Sequence, residues 1–292
     1  MTEINGPGAG RLTVVGMAIA TAVLAYPWRS TADRWALGIA VAVVLVSMMW
    51  WRGQFLTTIL WRRLRVLLNR RPIEGASADI QGRRTDAVTT ALLRVDSRHG
   101  ELPVGVLTGY LDRYGLVCDA VRVTTRTGPD STTTWIGLTF SGARNLAALQ
   151  GRSARIPLRQ TAENAARRLA GHLHETGWTA TLVDAAEIPA LAAGDARERW
   201  RSVTDARGHL TTYAVADPQT VLRGVSAAGA QEVWTVVEIA GPSPLTDLRA
   251  GVAIRTEEAP KTPAPVPGLA AIHGRQARAL AALHPLSGMR LV

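Results

Sequence analysis

Two apolar runs decide the organisation of this chain: LTVVGMAIATAVLAY at residues 12–26 and WALGIAVAVVLVSMMWW at residues 35–51. Neither contains a charged residue. With its bounding aromatic residues each run is about 17 residues long, or about 25 Å of helix at the usual rise per residue. That is slightly short of a hydrocarbon core of about 30 Å. We predict a two-helix transmembrane hairpin, with spans at 12–28 and 35–51, after an N-terminal tail of residues 1–11.

An arginine-rich stretch follows the second run. Residues 1–71 hold nine Arg and two acidic residues, so they carry +7 of the formal +10, while the other 221 residues carry +3. Anionic lipid attracts each basic residue near a membrane by about 1 kcal/mol. Within residues 52–71 apolar residues recur at intervals of three and four residues. This spacing predicts a basic juxtamembrane helix, which either extends the second span or lies in the interface. The charge therefore indicates anionic lipid at the cytoplasmic leaflet, and no nucleic acid.

The distribution of arginine also predicts the orientation of the hairpin. The stretch after the second run has six Arg, the connector between the runs two and the N-terminal tail one. The positive-inside rule then places both termini and the main domain in the cytoplasm, at the inner (plasma) membrane. A cleaved signal peptide is the alternative for the first run, but its n-region holds one acid and one Arg, which favours the hairpin.

Two sets of residues are candidate sites in this N-terminal part. The first is a membrane-interface set in which aromatic rings and arginines meet headgroups: Trp28, Trp35, Trp50, Trp51, Arg52, Trp61, Arg62, Arg63 and Arg65. The second is a helix-packing set of small residues at four-residue spacing: Gly16, Ala20, Gly38 and Ala42. Such spacing lets helices approach closely, although small residues are also common in short spans for no such reason.

The rest of the chain reads as an α/β (α+β) cytoplasmic domain with a mixed sheet. Residues 72–85 form a polar linker, and 86–256 form the domain. From 87 to 184 the pattern is β-α-β-β-α-β, the ferredoxin-like order, and a second group of strands adds to this unit or packs alongside it. We predict one helix from Pro103 to Tyr114. A Pro-rich linker at 257–268 precedes a C-terminal helix at 269–292, apolar between Leu269 and Leu286.

No motif for catalysis, a cofactor or a metal stands out. The only Lys is Lys261, so a phosphate-binding loop lacks its lysine. The glycines around Ser226 have the wrong spacing for a nucleophile elbow. His172 and His174 lie two apart on a helix and point to different sides. We predict that the protein is not an enzyme.

The remaining polar candidates favour structural interpretations. Cys118 is the single cysteine and lies in an apolar strand pattern, which favours a core residue over a reactive thiol. Arg167 and Arg168 are suited to an acidic partner, but a solvated helix face is the favoured interpretation. The pair Glu257 and Glu258 lies at a linker edge and is expected to be solvated.

Four stretches resemble the EccE family, membrane subunits of the mycobacterial type VII (ESX) secretion machine. They are LWRRLR at 60–65, TALLRV at 90–95, WRSV at 200–203 with GHLTTY at 208–213, and PGLAAIHGRQ at 267–276 leading into ALAAL. The resemblance implies a non-catalytic structural subunit that scaffolds the other core subunits EccB, EccC and EccD. EccC would be the translocation ATPase of that complex.

Two other functions fit the same sequence. One is a membrane-tethered enzyme acting on a lipid-linked or nucleotide-sugar substrate, which requires carboxylates converging in a pocket. The other is a membrane-anchored sensor or adaptor, which requires that the part from about residue 80 onward binds a specific ligand without the hairpin. The absence of a catalytic motif and the resemblance favour the secretion subunit over both.

Overall fold

The chain divides into two compact units, Met1–Asn69 and Arg70–Val292. The structure is a computed structural model. It describes residues 16–21, 23, 30–48, 50–51, 54–55, 63–64, 66, 88–96, 102–151, 157–218, 221, 225, 229–241, 247–260, 262 and 264–291. The predicted tail 1–11 and the linker 72–85 lie outside these residues, as do most of the first predicted span and of the juxtamembrane helix.

The N-terminal unit contains helix α1, Thr31–Met48, and two short strands. Strand β1, Trp50–Trp51, pairs antiparallel with β2, Gln54–Phe55. Helix α1 ends at Met48, three residues before the predicted end of the second span at Trp51, and the chain turns back on itself at the β1–β2 pair. The basic juxtamembrane helix, as an extension of that span or as a helix in the interface, stays a prediction. Among the described residues, none of the helices combines the length and the apolar character that a membrane crossing requires.

The first half of the larger unit confirms the predicted β-α-β-β-α-β order. Four of its strands lie in the sheet in the order β8-β3-β7-β6. This is the split β-α-β arrangement, in which the two strands joined by a helical connection flank a third strand: β3 and β6 flank β7, and β7 and β8 flank β3. All three pairings are antiparallel. The elements are β3 (Val88–Val95), α2 (Val104–Thr108), β4 (Asp112–Arg113), β5 (Leu116–Val117), β6 (Ala120–Thr127), β7 (Thr132–Ser141), α3 (Leu146–Gln150), α4 (Leu158–Glu175) and β8 (Ala180–Val183).

The second half extends the same sheet instead of forming a separate layer. Strand β12 pairs with β6 along seven residue pairs, from Val233↔Thr127 to Ile239↔Val121. The order beyond β6 is β12-β13-β11-β10-β9, and β14 pairs with the other end of β11. The elements are β9 (Arg197–Glu198), β10 (Val203–Asp205), β11 (Gly208–Val215), β12 (Ala230–Ile239), β13 (Leu248–Thr256), β14 (Leu269–Ala271) and α5 (Gln276–Leu283).

Two predicted helices are shorter than their patterns suggested. The helix that begins after Pro103 ends at Thr108, and Tyr114 and Gly115 form the turn of the β4–β5 hairpin with positive φ values of 58° and 68°. Leu269 begins a strand, not a helix, because β14 supplies partners to the end of β11 that β10 leaves uncovered. Unpaired backbone groups of a buried strand cost more than a weak local helix preference gains.

The sheet separates apolar clusters on its two faces. Helix α4 covers one face of the first half with Leu169 and Leu173, which pack with Leu93 and Ile136 of the sheet. Alternate residues of the same strands point to the other face, where Trp135, Trp234 and Leu92 pack with α5 and the segment around Leu191. The sheet is therefore the middle layer, and the C-terminal segment is part of its covering.

Candidate functional site

The predicted membrane-interface residues are only partly described. Trp35 lies on α1 with 70% of its surface exposed. Trp50 and Trp51 form β1, and Arg63 is exposed on a helical turn. Those that lie outside the described residues are Trp28, Arg52, Trp61, Arg62 and Arg65. Their role at a membrane stays a prediction.

The predicted helix-packing residues all lie on exposed surface. Gly16, Ala20, Gly38 and Ala42 are exposed. A Cβ atom built on Gly16 or Gly38 would meet no atom of the described residues within 4 Å. Their role in helix packing stays a prediction.

The other polar candidates named from the sequence include Cys118, His172, His174 and Ser226. Cys118 is buried, and its Sγ donates to the carbonyl oxygens of Ala120 and Thr139 at 3.2 and 3.3 Å. Burial raises the pKa of its thiol to about 12, which keeps the thiol protonated and confirms the core interpretation. No group of three or more metal-binding side chains occurs among the described residues, where His172 and His174 both lie. Ser226 is outside them.

A buried arginine, Arg122 on β6, ties the C-terminal segment to the sheet. It is 3% exposed and forms an ion pair with Glu238, the residue directly opposite it on β12. Its Nη1 donates to the carbonyls of Ala282 and Ser287 at 3.0 and 2.6 Å, and its Nη2 to that of Met289 at 2.6 Å. One side chain thus joins two strands to the end of α5 and the loop that follows it.

A second buried arginine, Arg255 on β13, holds the connection between β8 and β9. It donates to Glu232 at 3.0 Å, to Asp205 at 2.7 Å and to the carbonyl of Leu191 at 2.6 Å. Burial by itself would raise the pKa of both carboxyl groups, but hydrogen bonds from Arg255, together with Arg126 at Glu232 and the Ala193 amide at Asp205, hold each pKa below its ordinary value. Both acids are therefore ionised and fully engaged in the fold.

Sequence reasoning missed Arg122 and Arg255. Each lies in a strand where a charged residue at an alternate position normally points to solvent. The available signal was the occurrence of Glu232 and Glu238 inside another apolar strand, since opposite charges in two buried strands are expected to pair. Gln276 was also missed: its side chain accepts from the Thr212 amide at 2.7 Å and donates to the Thr212 carbonyl at 3.3 Å, as another backbone strand would.

His284 makes this C-terminal attachment sensitive to acid. Its Nδ1 accepts a hydrogen bond from the Leu286 amide at 3.2 Å, which requires the neutral ring. Burial, and next the charge of Arg122, lower its pKa from 6.5 to about 4.

We expect the free energy of unfolding to fall as the pH decreases from 6.5 to about 4. In this range the unfolded state binds more protons than the folded state at His284, so stability rises with pH, by a total on the order of 3 kcal/mol. Urea unfolding of the full-length protein in detergent across this range measures the slope. In His284→Asn the Oδ1 can replace Nδ1 as acceptor, and a slope equal to that of the unsubstituted protein would contradict the assignment.

A cleft lies where strand β8 stops short of the full length of β3. β3 pairs with β7 along its whole length but with β8 only from Leu92 to Val95. The opening beside Val88–Ala91 has a volume of about 340 Å³. Several of its charged residues pair with each other, Arg159 with Glu163 at 2.9 Å and with Asp184 at 3.8 Å. A third acidic residue of the lining, Glu187, accepts a hydrogen bond from the backbone amide of Asp184 at 3.1 Å.

An exposed aromatic cluster occupies the tip of the β4–β5 hairpin and the neighbouring face of α4. The guanidinium carbons of Arg113 and Arg168 lie 5.2 and 4.7 Å from the ring centre of Tyr114. Beneath them Tyr110 is buried, with its hydroxyl 2.6 Å from Nδ1 of His172. The cluster thus places two cationic groups on one aromatic ring, the geometry of a cation–π interaction.

Comparison with known proteins assigns the chain to a family. The model of the family described as "Putative type VII ESX secretion system translocon, EccE" matches residues 129–215. The ESX-3 secretion system protein EccE3 of Mycolicibacterium smegmatis is 42% identical over 285 residues, covering 96% of this chain and 89% of that protein. EccE3 of Mycobacterium tuberculosis (strain CDC 1551 / Oshkosh) is 44% identical over 297 residues, covering 98% of this chain and 87% of that protein. The chain therefore belongs to the EccE family of type VII (ESX) secretion system components.

Proposed function

We propose that this protein is a non-catalytic structural subunit of a type VII (ESX) secretion complex in the inner membrane. The observation that carries the proposal is the similarity to ESX-3 secretion system proteins along nearly the whole chain. The pairing of buried carboxylates with arginines inside the larger unit also supports a structural role. The buried carboxylates Asp205, Glu232 and Glu238 each pair with an arginine that also fixes a strand or a loop.

The proposal includes a membrane anchor made of the spans 12–28 and 35–51, with both termini and the main domain in the cytoplasm. Large apolar side chains on the described part of the N-terminal unit support it, because such exposed surface needs an apolar environment. The exposed residues are Met17, Ile19, Val23, Trp35, Ile39 and Val41. The arginine-rich stretch at 52–71 would lie against anionic lipid of the cytoplasmic leaflet.

The partners in this proposal are the other membrane subunits of the complex, EccB, EccD and the EccC ATPase. The open positions of Gly38 and Ala42 on α1 are suited to close contact with helices of such subunits. In the larger unit, α4 and the hairpin tip expose charged and aromatic side chains on which another cytoplasmic domain can pack.

Affinity purification from native membranes in mild detergent tests the proposal. We expect the tagged full-length protein to retain other ESX membrane subunits, including a large membrane ATPase, because a scaffold is stable only in its assembly. Mass spectrometry of the retained proteins and the size of the complex are the measurements. A tagged protein that runs as a monomer with no membrane ATPase alongside would contradict the proposed function.

We expect charge reversal of the arginine-rich stretch to weaken insertion or assembly. The variant Arg62→Glu/Arg63→Glu/Arg65→Glu loses about 1 kcal/mol of lipid attraction per residue and adds repulsion. Membrane fractionation and accessibility of a tag measure the effect. The control changes the same number of exposed arginines of the larger unit, Arg197, Arg199 and Arg201, to Glu. Equal topology and equal subunit retention in both variants would contradict a membrane role for this stretch.

A further inference from the structure

We propose that Arg113, Tyr114 and Arg168 form a docking surface for an acidic segment of another subunit of the secretion complex. We call these residues the hairpin clamp. The inference rests on the proposed function, since it names a point at which the domain meets its complex. It follows from the charge, the backbone geometry and the surroundings of the three residues.

The two arginines of the clamp have no carboxylate partner in the part of the chain that the structure describes. Arg113 lies over the rings of Tyr110 and Tyr114, and Arg168 lies over the ring of Tyr114. Arg167, the next residue on α4, is different: it donates to Asn164 at 2.8 Å and lies 3.5 Å from a carboxylate oxygen of Glu163. Of these two adjacent arginines on one helix, Arg167 has a carboxylate partner among the described residues and Arg168 has none there.

The position of Tyr114 in the hairpin points to a use for its ring. Tyr114 and Gly115 are the central residues of a two-residue turn in which both φ values are positive. Glycine and asparagine suit such a turn best, and a bulky residue there is disfavoured. Tyr114 is the only non-glycine residue with positive φ in the described part of the chain. Residues in such a strained conformation persist only where the surrounding structure maintains them, and they cluster at functional sites.

The clamp is held in place from below. Arg113 lies over the ring of Tyr110 as well, 4.9 Å from its centre, and Tyr110 is fixed by its hydrogen bond to His172 on α4. The ring of Tyr114, 49% exposed, therefore lies between two positioned guanidinium groups. Stacked guanidinium groups keep their N–H edges available, and these edges match the two oxygens of a carboxylate.

The chemistry of the partner follows from this arrangement. An apolar ring flanked by charges has the anatomy of a protein interface, and Tyr and Arg are the residue types that dominate binding energy in such interfaces. Carboxylates of Asp or Glu are the groups that two uncommitted arginines select. We therefore assign the clamp to an acidic protein segment, with an anionic membrane surface as the competing outcome of the test.

The experiment compares full-length variants in the affinity purification described above. Arg168→Glu and, separately, Tyr114→Gly are expected to reduce the retained subunits at least tenfold, as the loss of an interface hot spot does. The matched control Arg167→Glu makes the same charge change one residue away and is expected to retain them within about twofold, as replacement of an ordinary surface residue does. Tyr114→Gly relieves the turn, so its effect does not come from misfolding. Equal retention in all three variants would overturn the assignment.

A photo-crosslinker identifies what lies on the clamp. Replacing Tyr114 with p-benzoylphenylalanine in the tagged protein is expected to yield a crosslinked peptide rich in Asp and Glu from another ESX subunit. A crosslink to lipid, to a peptide without net negative charge, or to nothing in the intact complex would overturn the proposal. If the unsubstituted protein retains no subunit at all, the proposed function itself fails, which distinguishes the two failures.

Discussion

Replacing Arg122 with alanine is expected to lower the free energy of unfolding by about 3–5 kcal/mol, the usual cost of removing one partner of a buried ion pair. The change leaves the Glu238 carboxylate, 1% exposed, without its cation. It also removes the hydrogen bonds to the carbonyls of Ala282, Ser287 and Met289. Urea unfolding of the full-length protein in detergent measures the loss, and limited proteolysis after α5 reports whether the C-terminal segment detaches.

Two controls separate burial from charge in this experiment. Arg144→Ala removes an ion pair to Asp119 of similar type, but with side chains 53% and 26% exposed, and is expected to cost less than about 1 kcal/mol. Arg122→Met/Glu238→Leu is expected to recover part of the loss, because no carboxylate is then buried alone. If Arg122→Ala and Arg144→Ala destabilise the protein equally, the buried pair does not hold the C-terminal segment as described.

Replacing Trp234 with alanine is expected to cost about 3–5 kcal/mol, the range for a large buried aromatic residue. Trp234 is fully buried and stacks on Trp135 with ring centres 5.7 Å apart and an interplanar angle of 8°. It lies on β12, which pairs with β6 of the first half and with β13 of the second. The loss therefore affects both halves of the sheet, and we expect one unfolding transition to remain, shifted to lower urea concentration.

Trp234→Phe is the control for ring packing. The indole Nε1 is buried and has no hydrogen-bond partner among the described residues, so phenylalanine removes volume but none of the hydrogen bonds that the structure describes. We expect it to cost clearly less than the alanine change. Tryptophan-independent detection by circular dichroism gives the comparison. Two separate transitions in Trp234→Ala would show that the halves unfold independently, contrary to the continuous sheet.

The C-terminal segment is an integral layer of the domain, as the contacts of Arg122 and His284 show. Its chain order suggested a helix after a linker, but β14, Gln276 and the carbonyls beyond α5 are each bonded to the sheet. Truncation within this segment would therefore affect the folding of the whole larger unit. This is a reason to test function with the full chain.

Local patterns predicted much of the fold. The four strands of the β-α-β-β-α-β pattern predicted between residues 87 and 184 are β3, β6, β7 and β8, and the predicted second group of strands follows them. Such elements follow from short-range preferences. The strand order β8-β3-β7-β6 also followed, because the β-α-β-β-α-β order has few possible arrangements once connections are short and right-handed.

The sequence by itself determined the apolar runs, the concentration of positive charge in residues 1–71, the strand order of the first half and the resemblance to EccE. These depend on composition and on neighbours along the chain. Only the tertiary structure decided that Arg122 and Arg255 are buried, that Arg168 is uncommitted while Arg167 is paired, and that Leu269 joins a strand. The physical reason is that pairing energy depends on groups distant in sequence. Arg122 and Glu238 form an ion pair although 116 positions separate them in the sequence, and a local sequence pattern does not indicate such a contact.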